Sequence, residues 1–399
     1  MAENKLSPIE QWYEICKKKG RVYTSEEHRA RGFEYMKPYY NREVTIDTIE
    51  HWVDGIGDLN PLYRSREYAA KTKYKCLTAP PNYIYSITYA QYPDDWPAGI
   101  SGFYSGSEHE WFRPLCEGDK INYRVKYPSD AKLMASKFAG EKVMSFETCD
   151  YYRGGAIIGG YKSWETWTEN TKVDETNKYK SEVSKLPTYT TEDLIKINKA
   201  QDHEVEMLRG ANPRWWEDVK VGDELTPVVR GPFTLTEKEA WNIGGHGNVH
   251  FSERLMRIYK ERDPHHIVSY DPTFTQPNMV RPGSLLRFAA GEHLEAWRAM
   301  VFTNWMGDDG FLWKSRSEIR KFCMLGDTCW CKGKIVKKYC DNGKYCVDID
   351  CWCENQRGGD CNRWSHCDSP VPGVWANSLP GTLPSRPVHL YLNLSNANL

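Results

Sequence analysis

The feature that most constrains this chain is an internal repeat of strand-forming sequence. Two blocks are rich in β-branched and aromatic residues and are broken at glycines. The first is HEWFRPLCEGDKINYRVKY followed by EKVMSFETCDYYRGGAIIGGYKSWETWT; the second is SEIRKFCMLGDTCWCKGKIVKKY followed by GKYCVDIDCWCENQRGGDCNRWSH. Each runs through an aromatic strand, a Gly-Asp turn (Gly118-Asp119 and Gly326-Asp327), a strand, a glycine-containing hairpin and a long strand. Each then reaches an Arg-Gly-Gly turn, at Arg153-Gly154-Gly155 and Arg357-Gly358-Gly359. Parts repeated in one order at similar distances mark a duplication, so the chain folds as two like halves.

Ahead of each block lies a polar, Asn-containing segment and then a helix-sized stretch. In the first half this is EHWVDGIGDLNPLYRSREYAAKTKYKCLTAPPNYIYSITYA; in the second it is EAWNIGGHGNVHFSERLMRIYKERD and later LLRFAAGEHLEAWRAMVFTNWMGDDG. A helix followed by a run of strands, with no strand–helix alternation, is an α+β pattern in which a curved antiparallel sheet wraps one long helix. The chain divides into an amino-terminal half over 1–170, a charged linker over 171–214 and a carboxy-terminal half with its tail over 215–399. Within the linker, Thr190 and Asp193 form a capping-box pattern that starts a helix ending at Gly210, with Leu194, Ile197 and Val205 on its inner side.

Composition narrows the function classes. The 53 Lys+Arg balance 54 Asp+Glu, so no global field draws the chain to nucleic acid or a membrane surface, and neither is expected as a partner. The first twenty residues lack the apolar run of a signal peptide, and no window is apolar for the roughly 18 residues a span requires, which points to the cytoplasm. Thirteen cysteines, an odd number in a long chain, read as reduced thiols. Nine of them lie from Cys323 to Cys367, and Cys329-x-Cys331 and Cys351-x-Cys353 fall in strands, where both sulfurs of a pair share a face. Zinc knuckles use Cys-x-x-Cys in turns, so these thiols are expected to be small core residues and no metal is expected.

Three segments carry a resemblance to a known family. GDLNPLYRSREYA (57–69) resembles the hydratase motif Gly-Asp-x-Asn-Pro-Leu-His-x-Asp-x-x-Tyr-Ala. WWEDVKVGDEL (215–225) resembles the opening of a MaoC-like domain, and TNWMGDDGFLWKSRSEIRKFCMLGDTCWCKGKI resembles the later part of the second domain in two-half members. The chain is therefore similar to the MaoC-like double hot-dog hydratases and dehydratases, with an amino-terminal half like the fatty-acid-synthase dehydratase, over about residues 40–355. The resemblance implies an acyl-CoA thioester substrate and no cofactor beyond the CoA it carries. It also implies a homo-oligomer or a partner-subunit complex, and water added to a 2-enoyl or lost from a 3-hydroxyacyl group by an Asp and a His. Backbone donors at the start of the central helix would polarise the thioester oxygen.

Carried over residue by residue, the motif is incomplete. Asp58 and Asn60 stand at the family Asp and Asn, but Tyr63 stands at the His, and a phenol with an ordinary pKa near 10 is a poor base at neutral pH. In the second half His246 takes the Asp place and Asn248 the Asn place, and His250 becomes the family His only with a one-residue deletion. Imidazoles titrate near neutrality, so His246, Asn248 and His250 are expected to do the acid/base work, with Asp58, Asn60 and Tyr63 on the opposite wall of one cleft. The Pro-punctuated segment DPTFTQPNMVRPGS places Arg281, with Arg287 beyond it, for substrate phosphates. The expected reaction is hydration or dehydration of an acyl-CoA with a bulky or aromatic acyl part. A thioester-binding protein without this chemistry, or a lyase or isomerase using the same cleft, are the alternatives.

Overall fold

The computed structural model describes residues 6–18, 20–27, 41–87, 97, 99–137, 139–175, 187–245, 288–341 and 344–356. In the first half, α1 (Pro8–Lys18) and β1 (Arg21–Thr24) precede α2 (Ile46–Ile56), α3 (Pro61–Arg64), α4 (Arg66–Lys71) and a 3₁₀ turn over Pro81–Ser86. Four long strands follow: β2 (Ile100–Trp111), β3 (Ile121–Ser136), β4 (Gly140–Arg153) and β5 (Ala156–Glu169). The connection carries α5 (Asn170–Glu175) and α6 (Thr191–Glu206). The second half contains β6 (Glu224–Arg230), α7 (Leu235–Gly245), α8 (Gly291–Met306), β7 (Lys314–Glu318), β8 (Cys329–Asp341) and β9 (Lys344–Asn355).

Strand pairing bears out the duplication. The first half orders its strands β1-β3-β4-β5-β2, all antiparallel, and the second half repeats the start of that order as β6-β8-β9. The two Gly-Asp turns are built identically. Gly118 and Gly326 take φ of 88° and 83°, a left-handed conformation that glycine adopts without steric cost. Asp119 Oδ2 accepts from the Cys116 N–H at 2.8 Å, and Asp327 Oδ2 accepts from the Met324 N–H at 3.0 Å. Val44 exchanges backbone hydrogen bonds with Gly118 and Asp119, as Phe233 does with Gly326 and Asp327. Ala79 donates to the Leu115 carbonyl, and Ala289 to that of Cys323. An Asx turn closed on both sides pins the register of the strand after it, and here it does so twice.

The halves join about a pseudo-two-fold axis. Equivalent strands β2 and β7 pair antiparallel, with Glu108 opposite Arg316 at the middle of the register and an ion pair of 2.9 Å between them. The sheet is thus continuous between the halves through β2 and β7, giving six strands, while among the described residues β6, β8 and β9 pair as a separate three-stranded sheet. Helices α2 and α7 also cross about the axis. Gly55 lies against Ala240 and Trp241, and Gly244 lies against His51 and Trp52, so close that a Cβ on either would meet a backbone carbonyl. The Trp52 and Trp241 rings meet edge-on with centroids 5.0 Å apart. Those reciprocal contacts make the pair antiparallel.

Helix α8 is the expected long central helix of the second half, buried from Glu292 to Met306. In the linker, Thr190 and Asp193 form both bonds of the capping box. The helix ends at Glu206, before the expected Gly210, and it buries Ile197 and Glu204 while Leu194 and Val205 are exposed. An ion pair decides that face: Glu204 accepts from Arg230 at 2.7 and 2.9 Å and from Asn304 at 3.3 Å. Among the described residues no helix is long and apolar enough to cross a membrane.

Candidate active site

Helix α2 ends at Gly57 in a left-handed C-cap, which turns the chain into Asp58. The next residues fold through their own side chains. Asp58 Oδ1 accepts from the Asn60 N–H at 2.9 Å, and Asn60 Oδ1 accepts from the Leu62 N–H at 3.0 Å, capping α3. Arg230 reaches from β6 and donates to the Ile56 and Gly57 carbonyls, each at 3.0 Å, so the second half fixes this corner of the first. One oxygen of Asp58 and one of Asn60 therefore hold the turn.

The other oxygen of Asp58, Oδ2, is buried and has no hydrogen-bond partner among the described residues. Burial pushes the Asp58 carboxyl up to about 6, against the Asn60 hydrogen bond and the charge of Arg230, which favour the ionised form. A carboxyl in that range exchanges protons near neutral pH. Tyr63 is buried beside it and shares a hydrogen bond with Thr303 of α8; burial, then the Asp58 charge, push its phenol well above the ordinary range. It can donate a hydrogen bond but does not act as a base.

Asn60 and Tyr63 line a cavity of about 40 Å³ between the two halves, closed by Pro80 and Pro81, by Trp111 and Leu115, and by Thr303, Met306 and Phe311. A larger cavity of about 290 Å³ shares Tyr74, Trp111, Pro114 and Phe311 with it and has Lys73, Trp313 and Lys344 on its walls. Together they form an aromatic cleft with two ammonium groups in its outer part and the Asp58 turn at its inner end. Arg113 lines the inner cavity from an exposed position. Because Pro80 and Pro81 carry no N–H, the first backbone donor of the 3₁₀ turn is that of Asn82.

Of the sequence-predicted site residues, Asp58, Asn60 and Tyr63 come together here, while His246, Asn248, His250, Arg281 and Arg287 lie outside the described residues. The antiparallel crossing of α2 and α7 bears on the expectation of one shared cleft. Asp58 follows the carboxy end of α2, whereas Gly245, the residue before His246, ends α7 at the far end of the pair. An eleven-residue helix spans about 16 Å, so these two ends face different parts of the molecule.

Two groups escaped the sequence reading. Asp308, after α8, accepts from Tyr68 at 2.7 Å and is raised by burial; its Oδ1 is buried with no partner among the described residues, and its charge acts on Tyr63. The Gly-Asp-Asp-Gly run at 307–310 was the available signal. Glu295, inside α8, sits near the pseudo-two-fold axis and accepts from Tyr104 and Ser107 at 3.0 and 2.9 Å and from Tyr85 and Ser317. Burial alone would raise it, but the hydrogen bond and charge of His109, with Arg298 and Ser317, hold it at about 2. Neither Glu295 nor its partners reach the cleft, so this network locks the halves together.

With this geometry described, similarity to known proteins can be placed on it. Residues 29–131, which include the Asp58 turn and both Pro80 and Pro81, match the FAS1-like dehydratase domain region. A UPF0336 protein of Thermobifida fusca (strain YX) is 28% identical over 151 residues, covering 34% of this chain and 97% of that protein. Among solved structures, a MaoC-like dehydratase superposes with a TM-score of 0.54 at 13% identity, over 90% of this chain and 98% of the other. A MaoC domain protein dehydratase from Chloroflexus aurantiacus superposes with a TM-score of 0.52 at 12% identity, over 89% and 94% of the two chains. The chain has the double hot-dog fold that the sequence resemblance implied, and residues 29–131 of its first half are similar to a dehydratase domain region.

Proposed function

We propose, from the double hot-dog fold shared with MaoC-like dehydratases, that this chain hydrates 2-enoyl-CoA or dehydrates 3-hydroxyacyl-CoA thioesters. The observation that carries the proposal is the buried Asp58 carboxyl, raised to about 6 and with one unpartnered oxygen, beside Asn60 and Tyr63, which line the cleft. In hydration, ionised Asp58 takes a proton from a water as the water oxygen bonds to the β-carbon and the π electrons move onto the thioester as an enolate, and the same carboxyl then delivers that proton to the α-carbon. In dehydration, ionised Asp58 takes the α-proton and then gives it to the departing hydroxyl, which leaves as water. Tyr63 and Asn60 orient the water or the thioester by hydrogen bonding. The aromatic walls suit a bulky acyl group, and Lys73 and Lys344 suit the phosphates of CoA. Arg281 and Arg287, outside the described residues, are proposed to meet the substrate phosphates.

His246, Asn248 and His250, outside the described residues, are proposed as the matching site of the second half. The same reading places the protein in the cytoplasm with no cofactor beyond the CoA of its substrate. A panel of aliphatic and aromatic enoyl-CoA esters, watched for loss of conjugated absorbance, tests the proposal. Turnover of at least one ester, falling with Asp58→Asn, supports it. The presence of Tyr63 where the family has His favours a second reading, a thioester-holding protein, which stands if CoA esters bind and none is turned over.

A further inference from the structure

Three cysteines meet in the core of the second half, and a fourth lies beside them. The Sγ atoms of Cys329, Cys331 and Cys353 all lie within 4.8 Å of one another, and those of Cys331 and Cys353 are 2.9 Å apart. Cys323 adjoins Cys329 from outside this group of three. All four are buried. The topology explains the meeting: Cys329 and Cys331 share a face of β8, Cys353 is the direct partner of Cys331 on β9, and Cys323 lies just before the Gly326-Asp327 turn that leads into β8.

The first half serves as an internal control. Its matched turns and registers place Leu115, Ile121, Tyr123 and Tyr151 at the positions of Cys323, Cys329, Cys331 and Cys353. Those four side chains are buried and simply fill the core. The fold thus has no need of thiols here, and the second half has exchanged three large side chains and a leucine for three sulfurs that converge and a fourth beside them.

We propose that Cys323, Cys329, Cys331 and Cys353 form a closed structural site for a thiophilic divalent cation of the zinc class. Tetrahedral zinc with Zn–S near 2.3 Å holds its sulfurs about 3.8 Å apart, within the 4.8 Å that bounds the three clustered sulfurs, and Cys323 beside Cys329 would close on the ion as the fourth ligand. Four protein ligands leave no open position, so the site braces the three-stranded sheet and is not catalytic. Binding releases the thiol protons to solvent, with the metal staying divalent and no electrons transferred. The Arg230 guanidinium acts electrostatically on Cys331 and offsets part of the negative charge four thiolates carry. This replaces the expectation that the cysteines are only small core residues, and it is independent of the proposed reaction.

The test uses the full chain, purified with a reductant and no added metal. About one zinc per chain by elemental analysis is expected. Cobalt(II) in place of zinc should give intense thiolate charge-transfer bands and tetrahedral d–d bands, which Cys331→Ser with Cys353→Ser abolishes and Cys340→Ser, at an exposed position, leaves intact. If the double variant does not fold, the cobalt spectrum of the unaltered chain decides. A chain free of zinc that yields no such bands overturns the site, as does a Cys331–Cys353 disulfide found by mass spectrometry in reduced preparations.

Discussion

The two halves use the same turns and fill them differently. Both close the strand after the central helical segment with a Gly-Asp turn, and both swap hydrogen bonds between that turn and the residue before the first overhang helix. Inside, the first half packs Leu115, Ile121, Tyr123 and Tyr151, and the second gathers three thiols with Cys323 beside them. The first half opens its central segment with Pro80-Pro81 and a short 3₁₀ turn, and the second runs a buried sixteen-residue helix. Backbone turns define a duplicated scaffold, whereas the side chains behind them diverge as long as each core stays filled.

The link between the halves should be the easiest part of the comparison to break. Arg230 is buried, pairs with Glu204 and holds the carboxy end of α2. Arg230→Ala leaves the buried Glu204 carboxylate without its charged partner and should cost about 3–5 kcal/mol in chemical denaturation. It should also loosen the Asp58 turn, raising KM. A loss under about 1 kcal/mol would mean the halves are held without this pair.

Asp58→Asn sharpens the contrast between the two overhangs. It should lower turnover at least about a hundredfold, whereas His246→Ala and His250→Ala should leave most of it. The reverse pattern would move the chemistry to the second half. The same variant makes a stability prediction of opposite sign. A carboxyl raised from its ordinary value to about 6 penalises the fold as pH rises through that range. Asp58→Asn should therefore raise Tm above pH 6 and leave it unchanged near pH 4, with a gain of roughly 3 kcal/mol as an upper bound. Equal Tm at both pH values would place Asp58 in contact with water.

Glu295 tests the pseudo-two-fold axis. Its carboxyl, held at about 2, adds stability that is present above the ordinary carboxylate range and is lost as pH falls toward 2. Comparing Tm with that of Glu295→Gln between pH 6 and pH 2.5, the gap should be widest at pH 6 and close as the medium is acidified. A gap that stays constant would show that shape, and not charge, matters at this position.

Much of the scaffold was legible because it depends on local chemistry. Gly118-Asp119 and Gly326-Asp327 announce turns, Thr190 with Asp193 announces a helix start, and Asp58-x-Asn60-Pro61 announces a capped turn whose residues stay within a few positions of one another. The inner face of α6 was read wrongly at Leu194 and Val205 because Glu204 faces inward to a partner on β6, and apolar spacing cannot register a distant Arg. Asp308 and Glu295 were missed for the same reason: their partners, Tyr68 in one case and Tyr85, Tyr104, Ser107 and Ser317 in the other, come from remote segments.

By itself, the sequence determined that the chain is a duplicated α+β fold with a dehydratase-like turn at Asp58, since repeated glycine turns and side-chain caps act over a few residues. The tertiary structure alone decided that the Asp58 carboxyl is buried beside two residues that line a cleft, and which cysteines meet. Burial and strand register bring together groups far apart in sequence. A carboxyl acquires a shifted pKa, and a set of thiols becomes a site, only once water is gone and the partners have arrived.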